Sequence, residues 1–189
     1  MKRHLLLPDT IYGGVYPGQQ AVLAQSISTQ QYRCVMIPPF VAVPGAPHLV
    51  LPPGVHWATL AEAGERFGVG DRRNWLFEGV TAAAGALASA GCGSLYLDGS
   101  FVTSKIEPDD FDACWDPRGV NAQALDPLLL DFTAGGRRRQ KRVYRGELYI
   151  SGAPVGGGLT FLEFFMVEKH TGGSKGVIGI DLSRTGSTH

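Results

Sequence analysis

The run Ser94-Leu95-Tyr96-Leu97-Asp98 constrains the fold more than any other segment, because it is rich in strand formers and is cut off sharply by Gly99-Ser100. Glycine lets backbone approach a ligand closely, and a serine hydroxyl with adjacent amides can hold a phosphate. Asp110-Phe111-Asp112 follow after a short connection. On a strand, the period of two carries both carboxylates to one face and the phenyl ring to the other. Two like charges so close need a cation. Mg²⁺ (or Mn²⁺) suits them, since Mg²⁺ prefers hard oxygen ligands, keeps several waters and is usually completed by substrate phosphates. The combination points to a site that positions a nucleoside triphosphate for in-line attack. Lys105, between the two pieces, either meets the triphosphate or balances the carboxylates, and the sequence does not separate these roles.

The 189 residues are enough for one well-packed domain. Residues 1–50, with scattered Pro, Gly, Gln and Ser, read as an irregular N-terminal extension or lid, and 51–189 as the folded domain. Thr59 and Glu62 match a capping box for a helix running through Arg66-Phe67 to Gly68. Asp71 can cap a second helix: Leu76, Val80, Ala83, Ala84 and Leu87 recur at helical spacing, and Gly91 sits where a C-terminal cap belongs. A strand near 110–115 is closed by Pro117, and another is expected at 143–150. The segment 161–167 leans to helix, although a short apolar run suits a buried strand too. Gly172-Gly173 turn into a strand at 176–180, whereas Gly135-Gly136 read as a polar loop and Gly156-Gly157-Gly158 as a link without regular structure. The sum is an α/β (α+β) fold, a small mixed sheet with flanking helices.

Lys plus Arg and Asp plus Glu both total 17, so affinity for nucleic acid or membrane has to come from a local patch. Met1 to Leu7 imitate the start of a signal peptide, but Pro8 and Asp9 cut the apolar run short, and no segment is long enough for a membrane span. Cys34, Cys92 and Cys114 have no metal-type spacing. They suit a reducing cytoplasm and read as small buried hydrophobes. The run Arg137-Arg138-Arg139-Gln140-Lys141-Arg142, with Arg145 behind it, reads as a solvated loop or, beside an active site, as a grip on a nucleic-acid backbone with Tyr144 adding stacking. His56 and His170 lack partners at ligand spacing and read as structural, and Trp57, Trp75 and Trp115 as core or rim packing.

The segment from Gly99-Ser100 to Asp110-Phe111-Asp112 resembles the minimal nucleotidyltransferases of the DNA polymerase β superfamily. The likeness extends over about residues 50 to 182, from Leu51-Pro52-Pro53-Gly54-Val55-His56 through Pro108-Asp109-Asp110-Phe111-Asp112 to Lys175-Gly176-Val177-Ile178, and is to a group of bacterial nucleotidyltransferase-like proteins. It implies a polymerase β-like fold in which Gly99 and Ser100 grip the triphosphate and Asp110 and Asp112 bind divalent metal. A third carboxylate from a later strand would be a further ligand or base. Glu147 is the candidate, because Gly146 to Ile150 has strand character while Asp131 sits near a loop; the superfamily more often has Asp there. Lys175 is a second phosphate-binding candidate, although a lysine following a glycine turn is most often just exposed. The implied activity moves a nucleoside monophosphate from a triphosphate to an acceptor, an RNA such as tRNA or a protein, with release of pyrophosphate. The alternative is a catalytically weak binding module, one half of a toxin–antitoxin or phage-defence pair, with the first 50 residues as a partner surface.

Overall fold

The computed structural model describes residues 37–183. Of the extension or lid expected over residues 1–50, residues 1–36, with Cys34, lie outside the described residues, while Ile37 and Phe40 pack against the main core and Val41 forms an antiparallel bridge to Val50. The elements are β1 (Gly54–Ala58), α1 (Leu60–Phe67), α2 (Asp71–Ser89), β2 (Ser94–Asp98), β3 (Phe111–Trp115), α3 (Ala134–Val143), β4 (Gly146–Ile150), β5 (Pro154–Gly156), β6 (Leu159–Thr160), α4 (Phe161–Phe165) and β7 (Gly176–Asp181). Five strands form one mixed sheet in the order β1-β7-β2-β3-β4, and β5 and β6 form a separate hairpin. The outer pairs β1–β7 and β3–β4 are parallel, while β2 runs antiparallel to both its neighbours. This is the small mixed sheet with flanking helices that the sequence implies.

Strand alternation sorts the sheet into two unlike faces. One face presents Leu95, Leu97, Phe111, Ala113, Trp115, Leu148, Ile178 and Ile180 to the main core, where Phe67 of α1 and Leu76, Val80, Ala83, Ala84 and Leu87 of α2 join them. The other carries Tyr96, Cys114 and Val177, covered by Phe161, Leu162, Phe165 and Met166 in and just after α4. Thr59 and Glu62 close their capping box at α1, with the Thr59 amide donating to the Glu62 carboxylate at 2.7 Å. Asp71 is the first residue of α2 rather than its cap, which is Gly70. Gly91 follows that helix in the left-handed region at φ 86°.

The structure corrects three local expectations. Gly135-Gly136 and the basic run form no loop: they are the helix α3. Its start is built by Thr133, whose hydroxyl accepts from the Gly136 amide at 3.0 Å, while the Asp131 carboxylate accepts from the Thr133 amide at 3.1 Å and hydroxyl at 2.6 Å. Only a residue without Cβ fits at 136, since an added Cβ would stand 2.1 Å from the Asp131 carbonyl oxygen. Buried Gln140 then ties the helix to its neighbours, donating to the Leu128 carbonyl at 2.8 Å and accepting from the Leu148 amide at 2.9 Å. Gly156-Gly157-Gly158 are likewise not an unstructured link but the tip of the β5–β6 hairpin, all three with positive φ. The strand β1, which the Pro-flanked sequence Gly54 to Ala58 does not advertise, completes the sheet edge.

Candidate functional site

Register across β2, β3 and β4 creates the site. Asp98 stands opposite Asp112, and Asp112 opposite Glu147, so three carboxylates form one row across three adjacent strands. They share a face with Tyr96, Cys114 and Tyr149, two residues further along their strands. Like charges directly opposite one another destabilise a sheet unless something neutralises them. Lys175 pairs with buried Asp98. Lys141, reaching down from α3, places Nζ 2.6 Å from Asp110 Oδ2 and 2.9 Å from Glu147 Oε1. Asp112, in the middle, has no ion pair among the described residues.

The electrostatics follow this arrangement. Burial first, then the charges of Asp110, Asp98 and Glu147, push the Asp112 carboxyl up to about 7. Burial also raises Asp98, against the pull of the Lys175 ammonium. For Glu147 burial pushes upward, but the Tyr149 hydroxyl and Lys141 outweigh it and the carboxyl lies below its ordinary value. Hydrogen bonds to Asp110 and Glu147 raise Lys141.

The row opens onto a cavity of about 580 Å³. Asp98, Gly99, Ser100, Asp110, Asp112, Lys105 and Lys175 line it together with Tyr149, Phe161, Phe164, Phe165 and Val167. Gly99 is in the left-handed region at φ 78°, and a Cβ there would lie 2.6 Å from Asp112 Oδ2, so its backbone backs directly onto the central carboxylate. Two adjacent arginines at the start of α2 hold the β2–β3 connection. Arg73 donates to the carbonyls of Phe101 at 2.7 Å, Thr103 at 2.9 Å and Ile106 at 3.3 Å, and also to that of Lys105. Arg72 donates to those of Pro108 at 2.9 Å and Asp109.

Of the residues singled out from sequence, Gly99, Ser100, Lys105, Asp110, Asp112 and Lys175 meet at this cavity, and the sheet register sets Glu147 beside Asp112. Lys175 is not the exposed turn lysine its context suggests, since its side chain is 11% accessible and paired with Asp98. Lys105 binds Asp109 at 2.8 Å. The basic run divides: Lys141 is committed to the carboxylates, Arg139 to Asp131 and Arg137 to Tyr149, while Arg138 and Arg142 are exposed without a side-chain partner among the described residues. Tyr144, expected as a stacking residue, is buried with its hydroxyl donating to Asp126. Asp98 was the residue sequence reasoning missed, although a carboxylate closing an apolar strand one residue before Gly99 was a visible signal. Arg72 and Arg73 gave none, because their partners are backbone carbonyls.

An α/β domain with an acidic row beside a cavity lined by polar and aromatic side chains is the class that fold and site define. The chain belongs to DUF6932, a family of unknown function, whose model matches residues 44–181. No curated protein and no solved structure matches it. Among the described residues no helix is long and apolar enough to cross a membrane.

Proposed function

We propose that this chain is a nucleotidyltransferase that moves a nucleoside monophosphate from a triphosphate to an acceptor and releases pyrophosphate. The observation that carries the reading is Asp112: a buried carboxyl with no ion pair among the described residues, flanked by three others, facing a cavity that also presents Gly99, Ser100 and the lysines Lys105, Lys169 and Lys175. No group of three or more His, Cys, Asp or Glu side chains among the described residues is arranged to hold a metal. That is compatible with Mg²⁺ or Mn²⁺ in such a role, since Mg²⁺ is commonly held by one or two carboxylates and completed by substrate phosphates rather than by an all-protein cage. Asp110 and Asp112 are the oxygen donors for it, and the bound ion would supply neutralisation of the phosphate charge.

The rest is positioning and electrostatics by the chain. Gly99 offers backbone without a side chain in the way, and Ser100 adds a hydroxyl. Lys175 and Lys105 bring positive charge to the cavity, where a triphosphate would lie. Lys141 has to leave Asp110 for that carboxylate to take a metal, and its ammonium then becomes available to a phosphate. Glu147, freed by the same movement, is the third carboxylate, as further ligand or as acceptor of the proton lost by the attacking group.

The test is incubation with Mg²⁺, labelled triphosphates, total RNA and lysate. Label should pass to a macromolecule with release of pyrophosphate, and D110A should abolish both. If no label moves under any of these conditions, the chain is no transferase. The Lys141 bridge between Asp110 and Glu147 favours a second reading, a module that binds nucleotide without turnover within a two-component toxin–antitoxin or phage-defence pair. Calorimetry separates the two from a protein with no nucleotide site: tight metal-dependent triphosphate binding without transfer selects the module, and no binding removes both.

A further inference from the structure

Beside the acidic row, three aromatic rings from different parts of the chain line up. Phe132, just before α3, lies nearly parallel to Tyr149 of β4, with centroids 6.5 Å apart and an interplanar angle of 9°. Tyr149 in turn stacks on Phe161 at the start of α4, at 4.2 Å and 18°. Phe132 is 37% exposed, and Tyr149 and Phe161 line the cavity. The shelf therefore runs from solvent to the site, and the Tyr149 hydroxyl touches the row itself by donating to Glu147.

Helix α3 flanks the shelf with positive charge. Gly136, Gln140 and Tyr144, at the spacing of one helical stripe, face inward. Half a turn away, Arg138 and Arg142 form the outer crest, exposed and without side-chain partners among the described residues. Arg137, between stripe and crest, holds its guanidinium 5.9 Å from the Tyr149 ring centroid. Unpaired guanidinium groups beside an exposed ring, in line with two half-buried rings that line the cavity, are what a flexible polyanion of flat bases requires: an exposed ring stacks on a base whatever its identity, and the arginines track phosphates. A protein acceptor has no comparable need of both.

From this juxtaposition we infer that the acceptor is a single-stranded polynucleotide, with a base on the exposed ring of Phe132, its backbone on Arg138 and Arg142, and its end in the cavity beside Tyr149 and Phe161. The inference rests on the nucleotidyl-transfer reading for its chemistry. The strand's terminal hydroxyl oxygen bonds to the α-phosphorus as the bond to the bridging oxygen breaks; pyrophosphate leaves and the hydroxyl proton passes to a carboxylate of the row.

Binding is measured first, on the full chain in EDTA without triphosphate, by fluorescence anisotropy with labelled oligouridylate, oligothymidylate and an RNA duplex of equal length. Both single strands, or the RNA strand alone, should bind more tightly than the duplex; the first result assigns recognition to bases and phosphates, the second adds the 2′-hydroxyl. The double variant R138A/R142A should lower the slope of log affinity against log salt by about 1.4. F132A should weaken binding about tenfold at every salt concentration. Both changes lie on the exposed surface, and unchanged melting curves would confirm intact folding. Preference for duplex, absence of binding at low salt, or affinities unmoved in both variants overturns the inference. Label transfer to a protein while oligonucleotides stay inert also overturns it, and leaves the transferase reading standing. Strand binding without any transfer has the opposite meaning, removing the transferase reading while the shelf remains a strand-binding surface.

Discussion

Replacing Asp112 by Asn tests the acidic row most directly, because the effect has a sign that changes with pH. In the unfolded chain an aspartate ionises near 3.8, whereas burial and then Asp110, Asp98 and Glu147 hold the folded carboxyl protonated up to about 7. Between those values the folded state binds the extra proton, so stability falls as pH rises through the window; below it and above it the contribution is flat. A displacement of roughly three pKa units at 1.36 kcal/mol each sets a ceiling of about 4 kcal/mol, and sharing of charge among the coupled carboxylates brings the expected loss to about 2–4 kcal/mol. In EDTA, wild type and D112N should therefore have similar urea midpoints at pH 4, while by pH 8 the variant should be the more stable by on the order of 1–2 M urea. The difference between the two profiles isolates Asp112, because Asp98, raised by burial, and Glu147, held below its ordinary value, contribute slopes of opposite sign to both proteins. Adding Mg²⁺ at pH 8 should stabilise wild type and leave the D110N/D112N double variant unmoved. A D112N profile parallel to that of wild type from pH 4 to 8 would refute the account of Asp112 as the carboxyl that burial and its acidic neighbours hold protonated.

Two further outcomes follow from geometry. G99A places a Cβ 2.6 Å from Asp112 Oδ2 in a backbone conformation that L residues resist; it should cost about 2 kcal/mol in urea unfolding and abolish triphosphate binding by calorimetry. Q140L removes the partners of the Leu128 carbonyl and the Leu148 amide; orphaning both should cost about 3 kcal/mol in urea unfolding, and a loss below 1 kcal/mol would show that Gln140 does not anchor α3.

Local signals carried most of the fold. The Thr59–Glu62 box, the helical spacing of Leu76 to Leu87 and the strand run ending at Asp98 act within a few residues, so the sequence displays them directly. Helix α3 was hidden because its stability comes from elsewhere: Asp131 and Thr133 cap it, Gln140 bonds to a carbonyl twelve residues away and to an amide of β4, and two glycines and a run of arginines mask the pattern. The same division holds at the site. Gly99, Ser100, Asp110 and Asp112 are legible because they cluster along the chain. The pairings of Lys175 with Asp98 and Lys141 with Asp110 and Glu147 depend on which strands become neighbours, and no spacing encodes that.

The clamp by which Arg72 and Arg73 hold the β2–β3 connection has a consequence for how sequence variation in this family is to be read. That connection carries Ser100 and Lys105 and delivers the chain to Asp110, so its shape is set by where the first turn of α2 sits. The seat of that helix is in turn fixed by Leu76, Val80 and Leu87 in the core. Substitutions at these apolar positions, remote from the cavity and chemically inert, shift the arginines and with them the placement of Ser100 and Lys105 in the pocket. A screen for lost function should therefore return α2 core positions alongside cavity residues, and a second-site suppressor of a core defect is to be sought among the residues that Arg73 grips rather than among those that fill the hole.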